Sequence, residues 1–325
     1  MDPLSDVLEA VKLTGVIFLR AELGQRFGIA MPPPTFSHPV IKPQSKEHRL
    51  AMFHIVRQGE GYVEVEGFEP QPLAEGDLII VLADLHHSVV DAPGRDTVAS
   101  SELVALDGAG AAPPAVHVGP GERKMRLVCG MLQFVDRGFN PLFAALPPYL
   151  LVRRDDGPSA TWLQENISHI IREAEADRPG SQTLLSRLTE LLFVETLRCY
   201  LEKLPAEEKG WFAAFRDPVV GQAVTLIHQA PAHPWTVAEL AKRVAVSRSA
   251  FSARFTELLD VAPMTCVTRW RLRLASNLLE DSKMSLAEIA TRIGYESESA
   301  FSRAFRRETG ESPAAWRSKR VAALA

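Results

Sequence analysis

AELAKRVAVSRSAFSARFTELL, from Ala238, and AEIATRIGYESESAFSRAFRRET, from Ala287, are two copies of one pattern. Each opens with Ala-Glu and an apolar residue followed by Ala, Leu240-Ala241 in the first and Ile289-Ala290 in the second. Each reaches a further apolar residue three positions on, Val244 or Ile293, and then breaks at a short turn. The second segment of each copy carries Phe251 and Phe255, or Phe301 and Phe305. A four-residue spacing puts both rings on one stripe of a helix. The second turn is one residue longer, with Gly294 where the first copy has Ala245. This is a helix-turn-helix signature, written twice.

The small Ala241 and Ala290 let two helices cross closely, and the second helix then projects polar side chains outward. Those positions hold Arg248, Ser249 and Ser252 in the first copy, and Ser297, Glu298, Ser299, Ser302 and Arg303 in the second. All are side chains able to reach base edges or phosphates. A single αα-hairpin of this shape is a common packing motif, whereas two in tandem point to DNA. Between the copies, Met264 to Glu280 reads as one helix. Trp270, Leu274 and Leu278 form its apolar stripe, and Arg269, Arg271 and Arg273 are expected to face solvent or phosphate.

Over Asp217 to Arg320 the chain resembles the DNA-binding domain of the AraC/XylS family of bacterial transcription regulators. The stretch IGYESESAFSRAFRRETGESPAAWR, Ile293 to Arg317, carries the Gly-Tyr, the Phe-Ser-Arg-x-Phe core and the Gly-x-Ser-Pro typical of that family. One departure is that Val261 stands where the counterpart of Gly310 is expected, LDVAP against TGESP. The resemblance implies two recognition helices in successive major grooves of double-stranded DNA, in a cytoplasmic regulator. It leaves room for a small-molecule effector, RNA polymerase and a second copy of the chain as further partners.

Charge divides the same way. Residues 217–325 hold 15 Lys and Arg against 11 Asp and Glu, while residues 1–216 hold 21 against 29. A basic C-terminal part suits phosphate, and an acidic remainder argues against nucleic-acid contacts there. The whole-chain pI near 6.2 hides this difference. At 325 residues, 46% hydrophobic, the chain has length for two domains with separate cores. Asp2 and Asp6 replace the basic start of an export signal, and no apolar run reaches the length of a membrane span. Cys129, Cys199 and Cys266 fall far apart and are expected as free thiols of a reducing compartment.

The N-terminal part reads as strands at 13–23, 50–59, 61–67, 76–84 and 126–135, separated by Pro- and Gly-rich turns, the spacing of an antiparallel sandwich or barrel. The order His54, Gly59-x-Gly61, Gly67, Gly76-Asp77, His87 resembles a cupin barrel. With Cys129-Gly130 and NPLFAALPPYL at 140–150, it resembles the cupin-type sensor of one AraC-family branch. The expected fold is therefore α+β: a cupin-like antiparallel β-barrel over 1–150, a helical linker or dimerisation segment over 151–216, and an all-α tandem helix-turn-helix domain over 217–325.

His54, His87 and Cys129 are the candidate metal ligands, with His48 on the same strand face as His54 by parity. Zn²⁺, or another divalent ion that tolerates imidazole and thiolate, is the ion such donors favour. The alternative is that they line the barrel as packing residues, with His86 or His87 in a solvated loop. The His-x-His and Glu of the first cupin motif are missing, and Leu82 and Asp84 replace Pro and Gly of the second. These departures count against the rival reading of a metal-dependent cupin enzyme, and no catalytic residue is assigned. Helices are expected at 161–176, striped by Trp162, Ile167, Ile170 and Ile171, and at 182–204, striped by Leu184, Leu185, Leu188, Leu191, Leu192 and Leu201. Either a second copy or the chain's own barrel can cover such stripes. Residues 107–124 read as a mobile loop and 205–218 as a linker.

Overall fold

The computed structural model describes residues 4, 5, 8, 13–31, 48–82, 85–100, 113–135, 145–176, 178–205, 208–281 and 283–324. Two compact units emerge. One holds Leu13–Val135 with Pro147–Lys203, and the other includes Leu204–Ala325.

The first unit is built on β3 (His48–Val65), which joins the two predicted strands at 50–59 and 61–67 into one. Its first half pairs antiparallel with β9 (Met125–Val135) and β5 (Leu78–Leu82). Its second half pairs with β4 (Gln71–Ala74) and β6 (His87–Val90). A register shift between Val56 and Gln58 and a positive φ of 84° at Gly59 bend the strand where it changes partners. Only glycine fits there, because a Cβ on Gly59 would run into the Lys124 carbonyl.

β1 (Leu13–Leu23) lies outside β9, β2 (Gly28–Met31) pairs with β6, and β10 (Tyr149–Val152) pairs with β5. Two pairings break the antiparallel expectation: β8 (Ala115–Val118) runs parallel to β1, and β7 (Val98–Ala99) parallel to β2. Both are edge strands reached by long connections rather than hairpins, which frees them to enter in the same direction. Residues 115–118 thus correct the loop reading of 107–124, of which 107–112 lie outside the described residues, as do 136–144 of the segment before β10.

The interior is a continuous aliphatic cluster including Leu19, Leu23, Ile29, Met52, Val63, Ile79, Val89 and Leu127. Helices α1 (Pro158–Glu175) and α2 (Ser181–Lys203) belong to this unit. They pack on each other, and α2 packs on β1. Leu163, Ile167, Ile170, Leu185, Leu192, Phe193 and Leu197 are buried, and Phe193 meets Phe134 of β9 at 4.9 Å between ring centroids. The two helices thereby cover much of each other's stripe and α2 lies on the barrel, leaving Trp162, Leu184 and Leu191 exposed.

The second unit is all helical. The segment read as linker contains α3 (Trp211–Ala214), whose four residues are buried, and the Gly210 N–H donates to the Leu258 carbonyl at 2.8 Å. α4 (Pro218–Gln229) is capped by Asp217, which accepts from the Val219 and Val220 N–H groups. The first helix-turn-helix is α5 (Val237–Arg243) and α6 (Arg248–Leu259). α7 (Pro263–Asp281) follows, then the second pair, α8 (Leu286–Arg292) and α9 (Glu298–Thr309), and finally α10 (Pro313–Leu324).

Both turns close the same way. Val246 N–H donates to the Ala241 carbonyl and Tyr295 N–H to the Ala290 carbonyl, each across a left-handed residue. Gly294 takes that conformation without strain, whereas Ala245, at φ 57°, bears about 1–2 kcal/mol. Phe301, Phe305, Ile289, Ile293 and Trp316 form the core of the second copy around Leu272 and Leu279 of α7. The departure noted at Val261 moves by one residue: the helix-ending left-handed position matching Gly310 is Asp260, at φ 56°. Asp is among the few residues that take this conformation readily, so the turn keeps its shape without glycine.

Replacing Phe255 or Phe305 with Ala removes a fully buried ring and leaves a cavity. Each variant is expected to lose about 3–5 kcal/mol in its unit, read from denaturant unfolding. Wild-type midpoints in both would show that these rings do not carry the core.

Candidate nucleic-acid interface

The outer rows of α6 and α9 are set by their caps. Ser247 accepts from the Ala250 N–H at 3.2 Å, and Ser297 accepts from the Ala300 N–H at 3.2 Å. Ser297, expected to reach DNA, is thus engaged in starting its own helix, and its equivalent Ser247 escaped notice in the sequence. The signal was there, because a Ser three residues before an apolar-periodic run is an N-cap.

Arg248, Ser249, Glu298, Ser299 and Arg303 are exposed, and Ser252 and Ser302 are partly so. α9 adds Arg306 and Arg307, also exposed, which the sequence reading left out. Arg254 of α6 lies on the rim but is tied to Asp217, Nε donating to Oδ2 at 2.8 Å. That carboxylate simultaneously caps α4, so Arg254 fastens the helix down.

The three arginines of α7 do not face outward together. Arg269 is exposed, but Arg271 donates to the Pro231 and His233 carbonyls at 2.7 and 2.8 Å, and Arg273 is 1% exposed. α7 is enclosed by helices of both copies: Trp270 of the expected stripe is buried and Leu274 and Leu278 pack against the core, but Val267, Leu272, Arg273, Ala275, Ser276 and Leu279 are buried too. A single apolar stripe through Trp270, Leu274 and Leu278 described a helix covered on one side, whereas this one is covered on several.

In the barrel, His54 and Cys129 are direct cross-strand partners on β3 and β9, and His87 opens β6 on the facing part of the sheet. His54 is 0% exposed and His87 and Cys129 are each 2% exposed. His54 Nδ1 lies 3.1 Å from Cys129 Sγ, and His54 Nε2 lies 2.9 Å from His87 Nε2. Each contact needs one proton, and neutral groups supply it: either Cys129 donates to His54 and His54 to His87, or both bonds run the other way. His86, by contrast, is exposed, and the side chain of His48 lies outside the described residues.

The three candidate ligands therefore meet, but in line rather than around a point. His54 turns one nitrogen to each neighbour, and among the described residues no group of three or more His, Cys, Asp or Glu is disposed to hold a metal ion.

Burial keeps this chain uncharged. It pushes the Cys129 thiol up to about 12 and His87 down to about 4, with the Leu85 backbone working against the latter shift. His54 falls well below its ordinary value of 6.5, by burial first and the neighbouring His87 second. His87 Nδ1 makes no hydrogen bond of normal geometry among the described residues.

Comparison with known proteins covers both units. A cupin family model matches residues 2–202, and a helix-turn-helix domain model matches residues 240–319. A putative AraC-like transcription regulator of Streptomyces lividans is 34% identical over 319 residues, 98% of this chain and 98% of its own. A second protein so described, from Streptomyces antibioticus, is 32% identical over 324 residues, again 98% of each. The HTH-type transcriptional regulator AlkR of Acinetobacter baylyi is 28% identical over 268 residues, covering 81% of this chain and 86% of its own.

An imidazole whose pKa is lowered by folding stays neutral in the folded chain while the unfolded chain takes up its proton. Its contribution is complete above the ordinary value of 6.5 and is lost as pH falls from there toward about 4. The melting temperature is expected to drop over that window, and less steeply in His87→Gln. His228 of the other unit, pushed down to about 3, acts in the same direction in both proteins, so the difference between them reports His87 together with the part of the His54 shift that His87 causes. Equal slopes would place His87 in water.

Proposed function

The chain belongs to the AraC-like family of helix-turn-helix transcription regulators, and from that premise we propose how its two units divide the work. α6 and α9 are the reading heads, with Arg248, Ser249, Ser252, Glu298, Ser299, Ser302 and Arg303 facing base edges and phosphates of double-stranded DNA. The observation that carries this is the repetition of one capped, turn-locked geometry that leaves the same outer row exposed twice. Ser297 serves by orienting that row.

The cupin-like barrel is the sensor, and its effector is a small organic molecule. What supports this is the cost of the Cys129, His54 and His87 chain, three polar groups kept in an aliphatic interior where a Leu or Val would need no partners. Zn²⁺ is the rival occupant. It would require Cys129 as thiolate and His54 through one nitrogen only, and the present hydrogen bonds offer neither. The chain works in the cytoplasm as a regulator rather than an enzyme, as a homodimer that meets RNA polymerase at its promoter. No helix among the described residues is long and apolar enough to cross a membrane.

Arg303→Ala is expected to cost about 1–3 kcal/mol of discrimination at one base pair in quantitative mobility-shift titrations. Uniform weakening over all sequences would move Arg303 to a phosphate, and unchanged binding would remove α9 from the interface.

For the barrel, protein purified without chelator is expected to be free of stoichiometric metal and to melt higher with its organic effector. Near-stoichiometric Zn²⁺, lost in His54→Ala, His87→Ala and Cys129→Ala alike, would replace the organic pocket with a metal centre.

A further inference from the structure

The two recognition helices begin from the same geometry and differ in the charge they place there. Both run for twelve residues from a Ser cap, and in both the cap hydroxyl lies 3.2 Å from the hydroxyl two residues on, Ser249 or Ser299. The buried rings follow at identical offsets, Phe251 and Phe255 in one, Phe301 and Phe305 in the other. The first helical residues, Arg248 and Glu298, are therefore equivalent positions, and both are exposed.

Each of these charges is wrong for one of its surroundings. Arg248 sets a cation at the positive end of a helix, which the peptide dipoles disfavour, and among the described residues no carboxylate pairs with it. Arg254, on the same helix, has Asp217 as its partner. Glu298 suits its helix end, but it is an anion on the face turned toward a polyanion. A local rule broken without local compensation marks a residue held in place by what it binds.

The second helix also carries Arg303, Arg306 and Arg307 where the first has Ala253, Thr256 and Glu257. Of these, Arg306 and Arg307 offset the anion at the helix tip and anchor the helix to the backbone, while Arg303 stays with the base-facing row.

We propose that Arg248 and Glu298 are the principal base-reading residues and that the operator is asymmetric, with guanine under the start of α6 and cytosine under the start of α9. The inference rests on the DNA-binding reading above. A guanidinium matches the paired O6 and N7 acceptors of guanine. A carboxylate needs a donor, which in the major groove means an exocyclic amine. Cytosine N4 provides one with no acceptor beside it on its own ring, whereas the adenine amine is flanked on the same base by N7, whose lone pair repels a carboxylate. Facing a phosphate, Glu298 would only weaken binding.

The test is selection of sites from a random double-stranded DNA pool by the full chain, in wild-type, Arg248→Ala and Glu298→Gln forms, with melting temperatures confirming that all three fold. The wild type selects an asymmetric site with an invariant guanine and an invariant cytosine. Arg248→Ala loses roughly 5- to 150-fold discrimination at the guanine alone. Glu298→Gln changes the cytosine preference to adenine, because a carboxamide pairs with the adenine N6 and N7 together.

Unchanged preferences with affinity lowered uniformly by Arg248→Ala, or raised uniformly by Glu298→Gln, would overturn the inference while leaving DNA binding intact. A wild-type chain that selects no site at all would instead sink the underlying reading.

Discussion

Each half of the DNA-binding unit depends on one backbone hydrogen bond, Val246 N–H to the Ala241 carbonyl in the first copy and Tyr295 N–H to the Ala290 carbonyl in the second. Closing it forces the intervening residue into the left-handed region and turns the chain sharply into the next helix. That turn sets how the second helix crosses the first, and so directs Phe251 and Phe301 inward and the Ser-capped tips outward. Strain at Ala245 is the cost in the first copy, where glycine would relieve it. The buried rings make the geometry rigid, and the rigidity gives the exposed row a fixed direction.

The barrel rests on a different constraint, the bend of β3. One strand serves two parts of the sheet because Gly59 lets it turn against β9 at the Lys124 carbonyl. Without that bend His54 and His87 would belong to unconnected surfaces, since one pairs through the first half of β3 and the other through the second. Their approach at 2.9 Å, with Cys129 on the other side of His54, is a product of curvature. A neutral hydrogen-bonded chain is the form such a buried set adopts when no counter-charge accompanies it.

Much of this was legible in the sequence, and its limits are physical. The repeat could be read because helix burial has a period, and the Phe pairs and Ala crossings fall on it. Strands read at 13–23, 76–84 and 126–135 were visible through apolar runs and glycine turns, whereas β2, β4, β6, β7, β8 and β10, of two to four residues, are too short to show alternation. The arginines of α7 misled because charge normally signals exposure. Carbonyls of another segment satisfy Arg271, and no sequence pattern announces a carbonyl that points the right way.

The sequence alone determined the all-helical tandem repeat, the β-rich first part and the division of charge between them, all of which follow from local periodicity and composition. It also placed a thiol and two imidazoles in segments bound for the barrel. Only the tertiary structure decided what those groups do to one another, because register and curvature set their separations, and a strand's alternation is blind to both. The tertiary structure likewise sorted the arginines, burying Arg273, tying Arg254 to Asp217 and leaving Arg248 exposed at a helix tip with no carboxylate partner among the described residues. Whether a charge is spent inside or offered outside depends on neighbours far along the chain, and packing alone brings those neighbours together.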